Sequence, residues 1–250
     1  MRRLAPPLLA LWLGVSAGQA AGQGLCDGPP PAGGFVDRFT TLDPARWQVA
    51  DWANGGHFLN RWSPARVAAG AEGLRLTLAP DAGGDGLGGG EVRTRRRLGH
   101  GLFGARLRAS AHPGAITAVF LYTGPAEGTP HHEIDIEIKG DDPTRLHATY
   151  WTDGVAVEAS VPLPFDASAG FHDYAVRWLP DRIDWLVDGT VVHTAPPGGA
   201  VPLPSEPAFL MLNLWGATGA APWSTDFPPS GRTAAAYACV RVEGWQAEGR

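Results

Sequence analysis

The sequence predicts an all-β domain, a β-sandwich or jelly roll spanning residues 34–250. Three observations predict it. Apolar residues recur at every second position in many short runs, the period of a strand with one buried face. Turn-forming Gly, Pro and Asp separate these runs at short intervals, and no internal repeat or sustained 3.6-residue period interrupts them. Finally, 34 Gly and 23 Pro in 250 residues leave little room for long helices.

The elements follow in chain order. Met1 to Ala20 reads as a secretory signal peptide: Arg2 and Arg3 form the positive start, "LLALWLGV" the apolar stretch and Gly18-Gln19-Ala20 the small-residue cleavage site. The apolar run is shorter than the ~20 residues a membrane span needs. Residues 21–33 are a Gly/Pro-rich lead. Strands are then expected at "LRLTL" (74–78), "GLFGARLRA" (101–109) and "AITAVFLY" (115–122), with "DAGGDGLGGG" (81–90) as a flexible loop. Three alternating runs fill 173–194, where Asp188-Gly189 marks a tight hairpin. "AFLMLNLW" (208–215) and "CVRVEGW" (239–245) complete the set.

Charge and cysteines limit the partners. Loss of Arg2 and Arg3 with the leader takes the net charge from −5 to −7, which argues against nucleic acid or an anionic membrane as partner. No later segment is long and apolar enough to span a bilayer. In an exported chain the two cysteines, Cys26 and Cys239, suggest a disulfide from the lead to the last strand. No cofactor is called for, and a monomer is expected.

The stretch "HHEIDIEIKG" (131–140) carries the chemistry. Alternate residues on a strand share a face, so Glu133, Asp135 and Glu137 point together while Ile134, Ile136 and Ile138 enter the core. Lining up like charges costs stability. A solvated face would mix in Lys or Thr, and calcium usually draws oxygens from several loops. Two Glu side chains leaning together could bring their carboxyl groups within about 5–6 Å, the separation of a retaining glycosidase. Asp135 between them would push their pKa values apart, as a two-role site needs.

"GTPHHEIDIEIKG" resembles the active-site strand of glycoside hydrolase family 16, whose signature is Glu-x-Asp-x-Glu. "DWANGGHFLNRW" (51–62), "GEVRT" (90–94), "YTGPAEGT" (122–129), "FHDYAVRW" (171–178), "VDG" (187–189) and "LMLNLWGATG" (210–219) match other family segments in order. The likeness runs from about Gly34 to Trp245 and is nearest to bacterial lichenases and related exopolysaccharide glycanases. It implies a concanavalin-like jelly roll of two curved antiparallel sheets with a sugar cleft on the concave face. It further implies that Glu133 is the nucleophile, Asp135 its assisting residue and Glu137 the acid/base. The substrate implied is a polysaccharide, mixed-linkage β-1,3-1,4-glucan or a bacterial exopolysaccharide; the rival from another class, a non-catalytic lectin on the same sandwich, would gain nothing from three aligned acids.

Other residues take expected roles from the same likeness. Asn54, Glu91, Arg93, Tyr150, Asn213 and Trp215 match substrate-side positions, and Trp215 could stack on a sugar ring. Trp52 and Trp223 are looser loop candidates. Trp178, Trp185 and Trp245 sit at alternating strand positions and read as core. Adjacent His131 and His132 would point to opposite faces, which argues against a metal. The chain departs from the lichenase pattern at Asn60 and Gly89, which replace a cysteine pair. It also departs at His131, which replaces an aromatic, and at Ala238, which stands where many relatives carry a calcium-binding Asp.

Overall fold

The alternating runs become strands because each must bury one face and leave the other wet. The computed structural model describes residues 24–30, 32–82 and 86–244, so the leader and Trp245 lie outside the described residues. The first strands are β1 (Phe35–Asp37), β2 (Trp47–Val49), β3 (Arg61–Trp62), β4 (Val67–Gly70), β5 (Gly73–Pro80) and β6 (Leu87–Thr94). Next come β7 (Gly101–Arg108), β8 (Ala115–Thr123), β9 (His132–Lys139), β10 (Arg145–Thr152) and β11 (Val155–Pro162). The last are β12 (His172–Leu179), β13 (Arg182–Val187), β14 (Thr190–Ala195), β15 (Phe209–Gly216) and β16 (Thr233–Glu243).

These strands form a jelly-roll sandwich of two antiparallel layers. One layer runs β11-β10-β9-β8-β15-β6, and the other runs β5-β16-β7-β12-β13-β14. The layers join along one edge, where Ala79 and Pro80 of β5 pair with Gly88 and Leu87 of β6. Ile134, Ile136 and Ile138 of β9 enter a single core with Trp178, Trp185, Val176 and Tyr237 from the facing layer. Polar contacts from two side chains cross that core. Trp185 Nε1 donates to the Asp135 carbonyl at 2.8 Å. The Tyr237 hydroxyl lies 2.9 Å from the Ala118 carbonyl and 2.8 Å from that of Asn213. The acidic strand β9 is braced by the first, and its neighbours β8 and β15 by the second.

The expected hairpin at Asp188-Gly189 links β13 to β14, with φ of 46° and 77°, the paired positive values of a type I′ turn. A second such turn, Asp153-Gly154 (φ 52° and 78°), joins β10 to β11. The loop expected over 81–90 needs correction, because Leu87 to Gly90 open β6. Its glycines are there for space: a Cβ on Gly89 would lie 2.3 Å from Asn60 Nδ2, and one on Gly90 2.6 Å from the Arg66 carbonyl. Asn60 thus fills the room beside Gly89, and its Oδ1 accepts from Gly216 N at 2.9 Å. Cys26 and Cys239 are joined by a disulfide that fastens the lead to β16, in the layer opposite the acidic strand.

Candidate active site

Strand register decides what surrounds each carboxylate. Glu133 is flanked by Trp151 of β10 and Tyr122 of β8, and Asp135 by Thr149 and Phe120. Glu137 lies between His147 and Ala118, and its row continues through Asn213 of β15 to Glu91 of β6. The acids therefore lie on the face away from the isoleucines, on the floor of a cleft of about 580 Å³. Asn54, Phe58, Thr149, Trp151, Glu158, Asn213, Trp215 and Trp223 line the same cleft.

The environment separates the three acids. Burial pushes Glu137 up to about 8, helped by the charges of Glu133 and Glu158 and opposed by Lys139. Asp135 is held well above the usual carboxylate range by burial, by the Glu133 and Glu137 charges and by its hydrogen bond to Glu133. A protonated Asp135 can donate to its neighbour, and a protonated Glu137 can deliver a proton. Glu133 Oε2 sits 2.6 Å from His131 Nε2.

The cleft wall beyond Glu137 is aromatic. Trp215 stacks on Trp223 with ring centroids 6.1 Å apart and planes 11° from parallel, and Phe58 packs against it at 4.4 Å. Trp223 is held on three sides. Its Nε1 donates to Glu158 Oε1 at 3.2 Å, Lys139 donates to its carbonyl, and the Lys139 ammonium lies 4.7 Å from its ring centre. Glu158 also takes His147 Nδ1 at 2.6 Å. Burial lowers the His147 pKa, against the opposing pull of its bond to Glu158.

Of the residues expected to face substrate, Asn54, Asn213 and Trp215 do line the cleft. Asn54 is steadied by Trp62 Nε1, which donates to its Oδ1 at 3.2 Å. Tyr150 is a correction. It pairs with Ile134, shares that residue's core-facing side, and its hydroxyl donates to the Val201 carbonyl. The strand period of two places its neighbours Thr149 and Trp151 in the cleft instead. Glu91 is 1% exposed and lies beside the cleft, accepting from Asn213 Nδ2 at 3.1 Å. Arg93 is engaged by Glu127 at 2.7 Å and Gln48 at 3.0 Å, with its guanidinium over Trp52 and Phe209. Glu91 and Arg93 thus buttress the site rather than line it. Trp178 and Trp185 are core, as their strand positions imply.

Sequence reasoning missed Thr149, Trp151, Glu158 and the bond from His131 to Glu133. The Asp153-Gly154 turn was a usable signal for the hairpin that carries the first three. His132 points away from His131, as expected, and its Nδ1 accepts from the Ser205 and Glu206 amides.

Comparison with known proteins agrees with this geometry. The profile of glycosyl hydrolases family 16 matches residues 54–237. A β-glucanase of Bacillus subtilis is 38% identical over 76% of this chain and 78% of its own length. A β-glucanase of Acetivibrio thermocellus is 37% identical, and the chain spans only 56% of it. The crystal structure of a prokaryotic β-1,3-1,4-glucanase (lichenase) derived from a mouse hindgut metagenome superposes with a TM-score of 0.79 at 35% identity. That alignment covers 84% of this chain and 98% of the other. An acidic strand across a cleft, a matched family profile and relatives of this similarity lead to one conclusion: the chain belongs to glycosyl hydrolase family 16.

Proposed function

We propose that this protein is a retaining endo-β-glucanase that hydrolyses internal bonds of mixed-linkage β-1,3-1,4-glucan. The observation that carries the reading is the placing of Glu133 and Glu137 on one strand face within one open cleft, where burial pushes Glu137 up to about 8, so that it holds a proton at neutral pH, and His131 bonds Glu133. Glu133 attacks the anomeric carbon while Glu137 gives its proton to the departing glycosidic oxygen. Asp135, holding a proton between them, donates to Glu133 and keeps two full charges from facing each other. Water then enters, Glu137 takes its proton, and the bond from the sugar to Glu133 breaks. Trp215, Trp223 and Trp151 supply flat faces for neutral pyranose rings, and Asn54 and Asn213 offer amides to sugar hydroxyls.

The leader at residues 1–20 supports export to the periplasm or medium, and no helix among the described residues is long and apolar enough to cross a membrane. The arginines at 93–97 could have favoured an acidic exopolysaccharide. Arg93, however, is paired with the Glu127 carboxylate, and among the described residues no arginine lines the cleft. That favours a neutral glucan. The test is viscometry on barley glucan and on an acidic exopolysaccharide at low and high salt. An early viscosity drop on barley glucan, insensitive to salt, is expected. Activity confined to the acidic polymer and suppressed by salt would overturn the reading.

A further inference from the structure

His131 stands two residues before Glu133 on the same side of the chain, and its ring is fixed by its surroundings. It stacks on Trp151 with centroids 5.2 Å apart and planes 19° from parallel, and Tyr122 lies 5.5 Å away. Trp151 and Tyr122 are the two residues that flank Glu133 across the sheet, so His131 completes a collar around that carboxylate. Its Nε2 lies 2.6 Å from Glu133 Oε2. An ionised carboxylate only accepts hydrogen bonds, so Nε2 must carry the proton. Glu133 therefore receives one bond at Oε2, from His131.

From this geometry we propose that His131 is a positioning residue for the second half of the reaction, resting on the assignment of Glu133 as nucleophile. With Oε2 held by the imidazole, Oε1 is the oxygen free to bond the anomeric carbon. In the resulting ester Oε2 is the carbonyl oxygen, still facing Nε2–H. Water then attacks the anomeric carbon and loses a proton to Glu137. The C–Oε1 bond breaks, and its electron pair returns to the carboxylate. Negative charge builds again at Oε2, where a donor already waits without reorganisation. The donor therefore favours departure of the carboxylate.

The experiment compares His131→Phe, which keeps a ring against Trp151 but removes the donor, with His131→Gln, which retains one. Both are assayed on a 2,4-dinitrophenyl β-glycoside, whose leaving group needs little help, so that release from Glu133 limits turnover. For His131→Phe the expected result is a fall in kcat of about 10- to 100-fold, a parallel fall in KM and a burst of dinitrophenolate as the glycosyl-enzyme accumulates. His131→Gln should stay within about threefold of the parent in both constants. Thermal midpoints of both variants, measured alongside, should match the parent. A His131→Phe enzyme with native kcat, a loss without a burst, or equal losses in the two variants would each overturn the proposal. Glu133→Ala separates the two layers of the argument. If it keeps turnover, the nucleophile assignment fails; if it is inert while His131→Phe behaves like the parent, only the role of His131 fails.

Discussion

Replacing Glu91 with Gln should make the protein more stable at alkaline pH and change it little in mild acid. Glu91 is 1% exposed, and its Oε2 accepts from Asn213 Nδ2. Burial raises its pKa from 4.5 to about 8, and the Glu133 charge adds to this against the Asn213 bond and Arg93. In the unfolded chain the proton leaves near pH 4.5, whereas the folded protein keeps it until about pH 8. Between those values the unfolded state is progressively favoured. The contribution of this group is complete below pH 4.5 and gone above about pH 8. At ~1.4 kcal/mol per pH unit the full span is worth about 5 kcal/mol. Local relaxation around a buried charge reduces this to roughly 2–3 kcal/mol. Gln keeps the shape and an acceptor for Asn213 but has no proton to lose. Thermal melts of both proteins from pH 4.5 to 9 read the difference directly. The gap in Tm should be small at the acid end and open to about 5–10 °C in favour of Glu91→Gln at the alkaline end. A gap that stays constant with pH, or closes as pH rises, would show that Glu91 is not held neutral by burial.

Two further predictions concern other parts of the molecule. Glu158→Gln removes a like charge that raises the Glu137 pKa, so the alkaline limb of the kcat/KM profile, near pH 8 in the parent, should move to lower pH; an unmoved limb would remove Glu158 from the tuning of Glu137. Replacing Cys26 and Cys239 with Ser opens a crosslink between residues 213 apart in sequence, which should lower stability by about 3–5 kcal/mol in denaturant titrations while leaving KM unchanged.

The placing of the three acids was legible in the sequence because a strand reports its faces directly. The alternation of acid and isoleucine over 133–138 was enough to put three carboxylates on one side and three apolar chains in the core. What the sequence could not show was register between strands. Tyr150 was expected in the cleft and points into the core, because a shift of one residue exchanges the faces of a whole strand. Gly88 to Gly90 read as a loop, since nothing local reveals that Asn60 and Arg66 press against the backbone there. The His131 contact was hidden for a related reason. The sequence put His131 and His132 on opposite faces, but the bond to Glu133 depends on how Trp151 and Tyr122 confine the His131 ring.

The central claim is that Glu133 forms and releases a covalent bond to the sugar. Its most direct test is turnover of an activated β-glycoside by Glu133→Ala, with and without sodium azide, and identification of the product. Without azide, Glu133→Ala should show no turnover. With azide, turnover should recover through a glycosyl azide of inverted anomeric configuration, because the small anion occupies the space the carboxylate has left. Near-native hydrolysis by Glu133→Ala without azide, or an azide product of retained configuration, would contradict the central claim.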